Sequence, residues 1–371
     1  MFADNQRISH RQLKRQMLLS FGGVLILLMS GEMAGGGRAG ILGAFLGYGA
    51  LLIYFFFLVR NASVFQHLSV IFGGIVKWLV YLVYGSFLVL TGGFLLERIG
   101  HISNLYLLPD VSGELLKFLI LAVALLGMGG DIQKRGRMGE AAFPWVFWGF
   151  ILLLILAAVH MRVPDGGQMP ELEGGSLMLW GYRYFAVGCT VGLFPLACAR
   201  TEGRGSQMWE LGKSWLILTL MVAAAALILL GTYGYSGVNT IELPVLSLMA
   251  GTTLPGGFLD RFDIIWMAIL LFSLIFSLGS LLFYSVRLAV SGSMTEPEKE
   301  KKMSCGVLIA SALLMWIISA VRYGNSVGIE TVYMRLLECF YAPLFVIITP
   351  LAGWGYRRMR HENQEKYKKN H

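Results

Sequence analysis

Long stretches without charged residues alternate along the chain with short polar segments. A transmembrane helix needs about 20 mostly apolar residues to cross the hydrocarbon core, and ten stretches come near that length. Peptide groups in lipid must bond one another, which favours helices, and the regular alternation of a membrane β-strand is absent. The pattern therefore predicts an all-α integral membrane protein of about ten transmembrane helices.

The charged residues that close each stretch give the approximate bounds of the predicted spans 1 to 10. In chain order these are Arg15–Glu32, Arg38–Arg60, Lys77–Glu97, Glu114–Asp131, Glu140–Arg162, Arg183–Arg200, Lys213–Glu242, Asp263–Arg287, Lys302–Arg322 and Glu338–Arg357. The connection Gly237–Asp263 contains proline and glycine and is long enough for a short re-entrant or surface helix.

Ten spans predict a single membrane domain over residues 1–371 that divides into five plus five. We expect a cytoplasmic N-terminus (1–14), two five-helix halves (15–162 and 181–356) and a cytoplasmic tail (357–371). Because five is odd, the second half starts from the opposite side of the membrane, so the halves form an inverted repeat. This is a common plan of secondary transporters.

Composition supports a membrane location and gives an orientation. Hydrophobic residues make up 56% of the chain and charged residues 14%, whereas soluble domains carry about 25% charged residues. Most of the 30 Lys and Arg fall on the side that holds both termini, so both termini are predicted to be cytoplasmic. No segment interleaves basic with aromatic residues, so membrane lipid is the expected partner and nucleic acid is not.

Spans 1 and 6 are short and carry small residues at their centres. These are Ser20, Gly22 and Gly23 in span 1, and Gly188, Cys189, Thr190, Gly192 and Pro195 in span 6. In inverted-repeat transporters the ligand site forms where matching helices are interrupted at mid-membrane. Their free N–H groups suit a carboxylate and their free C=O groups suit an ammonium, so we predict interrupted helices 1 and 6 that bind an amino acid.

Close helix packing is the alternative role for small residues in membrane helices. For Gly43 and Gly47 of span 2, packing is the prediction. Hydroxyl groups give further ligand candidates, Tyr81 and Tyr84 in span 3 and Ser273 and Ser277 in span 8. Each of these could bond a neighbouring backbone carbonyl instead.

Acidic residues are missing from the centres of all the predicted spans. Ion pathways in membranes usually contain one, so the pattern disfavours a proton- or sodium-coupled pump. It favours a binding receptor or a passive path.

Catalytic and metal motifs are not found. Gly212-Lys213-Ser214 resembles the end of a phosphate-binding loop, but Gln207 stands where the first glycine belongs. The six histidines are scattered and the four cysteines form no CxxC pair. We therefore expect no enzyme activity, no cofactor and no metal site.

Four stretches resemble the endospore germination permease family, the B-subunits of spore germinant receptors. Ile8–Leu13 is similar to the family's Ile-Ser-x-Arg-Gln-Leu start, and Gln133–Glu140, followed by Pro144, to its Glu-x-x-x-Arg-x-x-Glu loop with Gln133 in place of the first acid. Pro244–Phe258 resembles the extracellular stretch before span 8, and Leu259–Asp263 resembles the acidic-Arg-x-acidic turn that closes it.

The resemblance implies an amino acid–polyamine–organocation transporter fold and a subunit that senses a small nutrient such as an amino acid. It implies a larger membrane A-subunit and a lipoprotein C-subunit as partners, in the cell membrane or the spore inner membrane. Gly22-Gly23 replaces the family's more typical Gly-x-Gly, so a different pocket is expected. Arg137 and Glu140 share a helical face and are expected to form a solvated pair, or else to anchor a partner.

The leading functional hypothesis is a germinant receptor subunit that binds a nutrient between spans 1, 3, 6 and 8. The alternative is an amino acid permease that transports solute without a signalling role. A membrane scaffold with no ligand is a third hypothesis.

Overall fold

A computed structural model gives the architecture of the chain. It describes residues 7–29, 36–62, 74–128, 131–159, 161, 171–190, 197–198, 200–201, 207–241, 243–251, 262–290, 297–321, 328–351 and 353–354. The helices are α1 (His10–Met29), α2 (Gly37–Asn61), α3 (Gly74–Tyr106), α4 (Gly113–Gly127), α5 (Ile132–Val159), α6 (Gly174–Cys189), α7 (Gln207–Thr240), α8 (Pro244–Ala250), α9 (Phe262–Val290), α10 (Pro297–Ala320) and α11 (Ile329–Leu336). The last continues through a π-helical turn, Leu337–Tyr341, to Leu351.

Seven helices in the described part of the chain are long and apolar enough to cross a membrane: α2, α3, α5, α7, α9, α10 and α11. The three other predicted spans correspond to α1, α4 and α6, which have 20, 15 and 16 residues. The short helix α8 lies in the connection where one was expected. The all-α membrane class is thus confirmed, and the count of ten and the inverted 5+5 arrangement stay predictions.

Helix α1 lies at the centre of the packing and contacts α5, α7 and α9. Its buried residues extend around the whole helix, as expected for a helix enclosed by others. Helix α2 packs along α6 and α7, and α3 packs against α9, α10 and α11.

The predicted packing role of Gly43 and Gly47 is confirmed. A Cβ on Gly47 would lie 2.6 Å from the carbonyl oxygen of Gly181 in α6, and one on Gly43 would lie 2.8 Å from its amide nitrogen. Only glycine permits this distance between the α2 and α6 backbones.

Among the charged residues that we used as span ends, Arg183 and Glu338 lie near the middle of helical runs. Arg183 is within α6 and Glu338 is within the 23-residue run Ile329–Leu351, so the predicted bounds of spans 6 and 10 were wrong. Arg183 Nε lies 3.3 Å from Glu338 Oε1, and their side chains are only 25% and 15% exposed. The expectation that no span holds a central acidic residue was therefore wrong for α11.

Pro343 leaves one carbonyl of the π-helical turn around Glu338 without a main-chain donor. Proline has no N–H, so a carbonyl five residues earlier, which is that of Glu338, lacks its π-register donor. The hydroxyl of Tyr182 in α6 donates to this carbonyl. Single π-turns occur often at functional sites, and here one accompanies an ion pair between two helices.

A second ion pair explains why α3 extends beyond its predicted end at Glu97. Arg98 Nη2 lies 2.6 Å from Glu330 Oε2 at the start of α11, and the Glu330 side chain is 8% exposed. One turn earlier, Phe94 stacks on Tyr333 with ring centroids 4.3 Å apart. The charge of Arg98 is compensated by Glu330 across the interface between α3 and α11, so α3 can continue past it.

Candidate functional site

The contact between α1 and α9 includes several hydrogen bonds, although it lies in the apolar parts of both helices. Leu19 and Gly23 are four residues apart, so their C=O and N–H groups form one rung of the α-helical hydrogen-bond ladder. The Ser273 hydroxyl bonds both ends of that rung. It accepts from the Gly23 amide at 3.0 Å and donates to the Leu19 carbonyl at 2.5 Å.

Two more serines of α9 continue this contact along α1. Ser277 donates to the carbonyl of Ser20, and the Ser20 hydroxyl lies 3.4 Å from that of Ser280. All of these side chains are less than 5% exposed. We call the set Ser20, Gly23, Ser273, Ser277 and Ser280 the serine seam. It joins four of the predicted ligand residues to Ser280, which the prediction missed.

The predicted interruption of helix 1 is not present, because α1 runs without a break from His10 to Met29. Gly22 and Gly23 allow close packing instead. A Cβ on Gly23 would lie 2.6 Å from Ser273 Oγ, and one on Gly22 would lie 3.3 Å from the Phe150 ring. The α1 backbone still makes an additional polar contact at the predicted position, because Ser273 of α9 hydrogen-bonds to the main chain of Leu19 and Gly23 there.

Helix α6 ends at Cys189, inside the predicted span 6, and Thr190 caps it. The next described residues, Ala197 and Cys198, are helical. Gly192 and Pro195 lie outside the described residues, so the interruption of helix 6 stays a prediction.

The predicted residues of spans 3 and 6 contact other helices than α1. A Cβ on Gly188 would lie 2.2 Å from Leu51 of α2, and Thr190 Oγ1 donates to the carbonyl of Val187 in its own helix. Cys189 is fully buried. Tyr84 stacks on Phe345 of α11 at 4.8 Å, and Tyr81 is half-buried against the core. That these residues share a site with the serine seam stays a prediction.

Small apolar cavities flank the serine seam. One lies between α1, α5, α7 and α8, lined by Gly22, Leu25, Met29, Leu154, Met221 and Met249 among others. The centre of a water molecule could move within about 20 Å³ of it, which is room for little more than one water. A smaller cavity also borders Gly22, against Phe143 and Phe150. Neither cavity is large enough for an amino acid in this conformation.

A capping box begins α1. The Ser9 amide donates to Gln12 Oε1 at 3.1 Å, and the Gln12 amide donates to Ser9 Oγ at 3.2 Å. Glu140 of α5 then holds this helix end, with its Oε1 atom 3.0 Å from Arg15 Nη1 and 3.3 Å from Arg11 Nε. The Gln12 side chain also donates to Glu140, at 3.3 Å. Glu140 thus faces α1, and the expected Arg137–Glu140 pair stays a prediction.

Other contacts close the same end of the bundle. The Ile8 amide donates to the Arg200 carbonyl at 3.1 Å, in an isolated parallel bridge between Ile8 and Thr201. Arg287, in the last turn of α9, lies 3.0 Å from Asp131. Burial and then the charge of Arg287 lower the pKa of Arg200, while Asp131 opposes this.

Two buried polar side chains beside the serine seam were missed by the sequence analysis. Arg135 of α5 is 4% exposed and donates to the Phe276 carbonyl and to the Ser280 hydroxyl. Gln16 of α1 is 1% exposed, and neither atom of its amide has a hydrogen-bond partner. Ser280 continues the series Ser273–Ser277 along α9, which is the signal that could have revealed it. No group of three or more metal-ligating side chains lies in the described part of the chain.

Comparison with known proteins decides the family. The profile of a family described as "Spore germination protein" matches residues 39–323, which is most of the chain. The chain belongs to the spore germination protein family. The resemblance found in the sequence is thereby confirmed.

Relatives within this family are distant. Spore germination protein KB of Bacillus subtilis (strain 168) is 23% identical over 384 residues, which cover 99% of this chain and 100% of that protein. Spore germination protein B2 of the same organism is 24% identical over 221 residues. That match covers 58% of this chain and 59% of the relative, less than two thirds of its length.

Solved structures show that this family member has a transporter fold. A substrate-bound, outward-open Na⁺-coupled sialic acid symporter aligns with a TM-score of 0.64 and 12% identity, over 95% of this chain and 90% of the other. The crystal structure of MhsT in complex with L-phenylalanine aligns with a TM-score of 0.60 and 12% identity, over 92% and 87%. At these identities the likeness concerns the fold alone.

Two of the stretches that resemble the germination family meet in space. Ile8–Leu13 supplies the bridge to Thr201, the capping box and Arg11, and Gln133–Glu140 supplies the carboxylate that holds Arg11 and Gln12. The first stretch precedes the part that the family profile matches. Their shared role is to fix the start of α1 against α5.

Proposed function

We propose that this chain is the membrane subunit of a spore germinant receptor and that it binds a small nutrient, an amino acid, at the serine seam. The single observation that carries the proposal is the Ser273 hydroxyl between the Gly23 amide and the Leu19 carbonyl. This hydroxyl accepts from one backbone group and donates to another. In its place, a ligand carboxylate could accept from the Gly23 amide and a ligand ammonium could donate to the Leu19 carbonyl.

Binding at this place requires the seam to open, because the flanking cavities have no room for an amino acid. A nutrient that binds only the open arrangement shifts the population toward it. Partner subunits that contact the chain differently in the two arrangements would read the shift. The A- and C-type subunits implied by the family resemblance are the proposed partners.

The experiment is a thermal-shift panel of amino acids on the purified full-length chain. We expect at least one amino acid to raise the unfolding midpoint in a saturable way, and Ser273→Ala to strengthen its apparent affinity at least tenfold, because the hydroxyl no longer competes for the Gly23 amide and the Leu19 carbonyl. Ser285→Ala is the matched control, since Ser285 lies on α9 but bonds only the carbonyl of Leu282 in its own helix. Equal affinity in Ser273→Ala and wild type would contradict this site.

A permease without a signalling role is the second candidate, favoured by the transporter fold of the solved relatives. Uptake of the identified amino acid into vesicles that contain this chain alone would support the permease. Binding without uptake, together with a germination response that needs the partner subunits, would support the receptor. The inside location of both termini belongs to the same proposal.

A further inference from the structure

Arg135 differs from the other partly or fully buried arginines that join helices. Arg98 pairs with Glu330, Arg183 with Glu338 and Arg287 with Asp131, each at 3.3 Å or less. Arg135 is more buried than these and has no carboxylate within ion-pairing distance among the described residues. A buried charge is costly unless an opposite charge compensates it.

The protein contacts of Arg135 leave part of its guanidinium unused. Both of its hydrogen bonds come from Nη2, to the Phe276 carbonyl and the Ser280 hydroxyl, and Nε has no partner. The rings of Phe276 and Phe283 lie 4.5 and 5.9 Å from its central carbon, and aromatic faces attract a cation without neutralising it. No protein group among the described residues therefore neutralises this guanidinium.

Gln16 provides an independent sign of a missing ligand in the same place. A Cβ on Gly136, the residue after Arg135, would lie 3.3 Å from its Nε2 atom. A Cβ on Gly139 would lie 3.0 Å from its Cγ and 3.3 Å from the Phe276 ring, which also lies under Arg135. A buried amide without a hydrogen-bond partner is costly, so a ligand that accepts from Nε2 is favoured.

The backbone adds positive potential at this position. Arg135 lies in the first turn of α5, which begins at Ile132, and a helix N-terminus attracts anions. The nearest acid on α5, Glu140, already binds Arg11 and Arg15 of α1. Asp131, four residues before Arg135, pairs with Arg287, and no described acid lies within ion-pairing distance of Arg135.

We propose that Arg135 and Gln16 bind a small monovalent anion, a carboxylate or a halide, between α1, α5 and α9. The anion is held by Nε of Arg135 and by Nε2 of Gln16, beside the serine seam. A free inorganic anion and the carboxylate of a nutrient share this chemistry. The site does not depend on the amino acid site proposed above, because none of its groups is Ser273 or Gly23.

The test is a chloride titration of the purified full-length chain in detergent. Chloride replaces the bulky sulfonate MES at constant ionic strength, and the thermal unfolding midpoint is followed. Wild type should be stabilised in a saturable way, and Arg135→Gln should raise the half-saturating chloride concentration at least tenfold. Lys134→Gln, which removes an exposed charge from the adjacent position, should leave it unchanged. The same half-saturation in Arg135→Gln, or no saturable response in wild type, would overturn the proposal.

Chloride-35 NMR on wild type keeps the test decisive if Arg135→Gln does not fold. We expect the chloride line to broaden with protein and to narrow when acetate competes; an unbroadened line would overturn the site. Gln16→Leu removes only an unpartnered amide and should lessen the broadening. Ser273→Ala should retain it, so a failed amino acid site and a failed anion site give different results.

Two competitors identify the source of the anion. Narrowing by L-alanine but not by L-alaninamide would assign the site to a nutrient carboxylate. Narrowing by neither, with acetate still competing, would assign it to a free anion. Narrowing by L-alaninamide would overturn the proposal, because a cation cannot replace chloride on a guanidinium.

Discussion

Glu140 of α5 holds the first turns of α1 through Arg15, with Oε1 3.0 Å from Nη1. Arg15 is 17% exposed, whereas Arg11, the other partner, is 68% exposed. Ion pairs of this kind contribute up to about 1 kcal/mol each, and the more buried one contributes more. The attachment of α1 at this end therefore depends mainly on Arg15.

Glu140→Gln should loosen the start of α1 with only a small loss of global stability, about 1 kcal/mol. Trypsin cleavage after Arg15, followed by mass spectrometry, should become several times faster than in wild type. Arg137→Gln should not have this effect, because Glu140 pairs with α1. Unchanged cleavage in Glu140→Gln would show that the ion pairs do not hold the helix.

Gly23→Ala should destabilise the bundle by about 1–3 kcal/mol, because the new Cβ overlaps Ser273 Oγ and Cβ. Thermal unfolding of the purified chain measures the loss, and the double variant Gly23→Ala with Ser273→Gly should recover part of it. Gly49→Ala is the control, since a Cβ there meets nothing within 4 Å and alanine favours a helix. Equal effects at both glycines would argue against the close contact of α1 with α9.

Glu338→Gln should cost about 3 kcal/mol by leaving Arg183 without a counter-charge between α6 and α11. The double variant Arg183→Gln with Glu338→Gln should be more stable than Glu338→Gln alone. Unfolding midpoints of the single and double variants give the coupling energy. Arg335→Gln, an exposed position on α11, should change little, and additive single effects would contradict the pair.

The proposed orientation, with both termini in the cytoplasm, predicts which introduced cysteines can be labelled from outside the cell. With Cys305 and Cys339, which are exposed, replaced by serine, Asp110→Cys should react with an impermeant maleimide added to whole cells. Lys134→Cys should react only after the membrane is permeabilised. The reverse pattern would invert the topology without changing the fold.

The helical fold could be predicted from the sequence because lipid leaves the backbone few alternatives. The bounds of α2 and α9 agree with their predicted spans within a few residues, since the charges there end the apolar runs. The same rule, that charged residues mark the ends of spans, failed at Arg183 and Glu338. A charge that is neutralised across an interface does not end a helix, and pairing between α6 and α11 cannot be seen along the chain.

The candidate site could be predicted only in part, for a similar reason. Ser273 and Ser277 stood out as hydroxyls in an apolar span, and both contact α1. Gly22 and Gly23 suggested a break, but glycine permits close approach as readily as it permits unwinding. Arg135 looked like one more basic residue of a loop, and only the packing of α5 on α9 shows that it is buried.

The bridge from Ile8 to Arg200 and Thr201 joins two distant parts of the chain at one end of the bundle. It ties the residue ahead of α1 to the segment that follows the end of α6, although the two helices have few direct contacts. If α1 tilted away from α9, the bridge at Ile8 would therefore pull residues 200–201 in the same direction. The start of α1 and residues 200–201 would then move as one unit, joined by the main-chain hydrogen bond from Ile8 to Arg200.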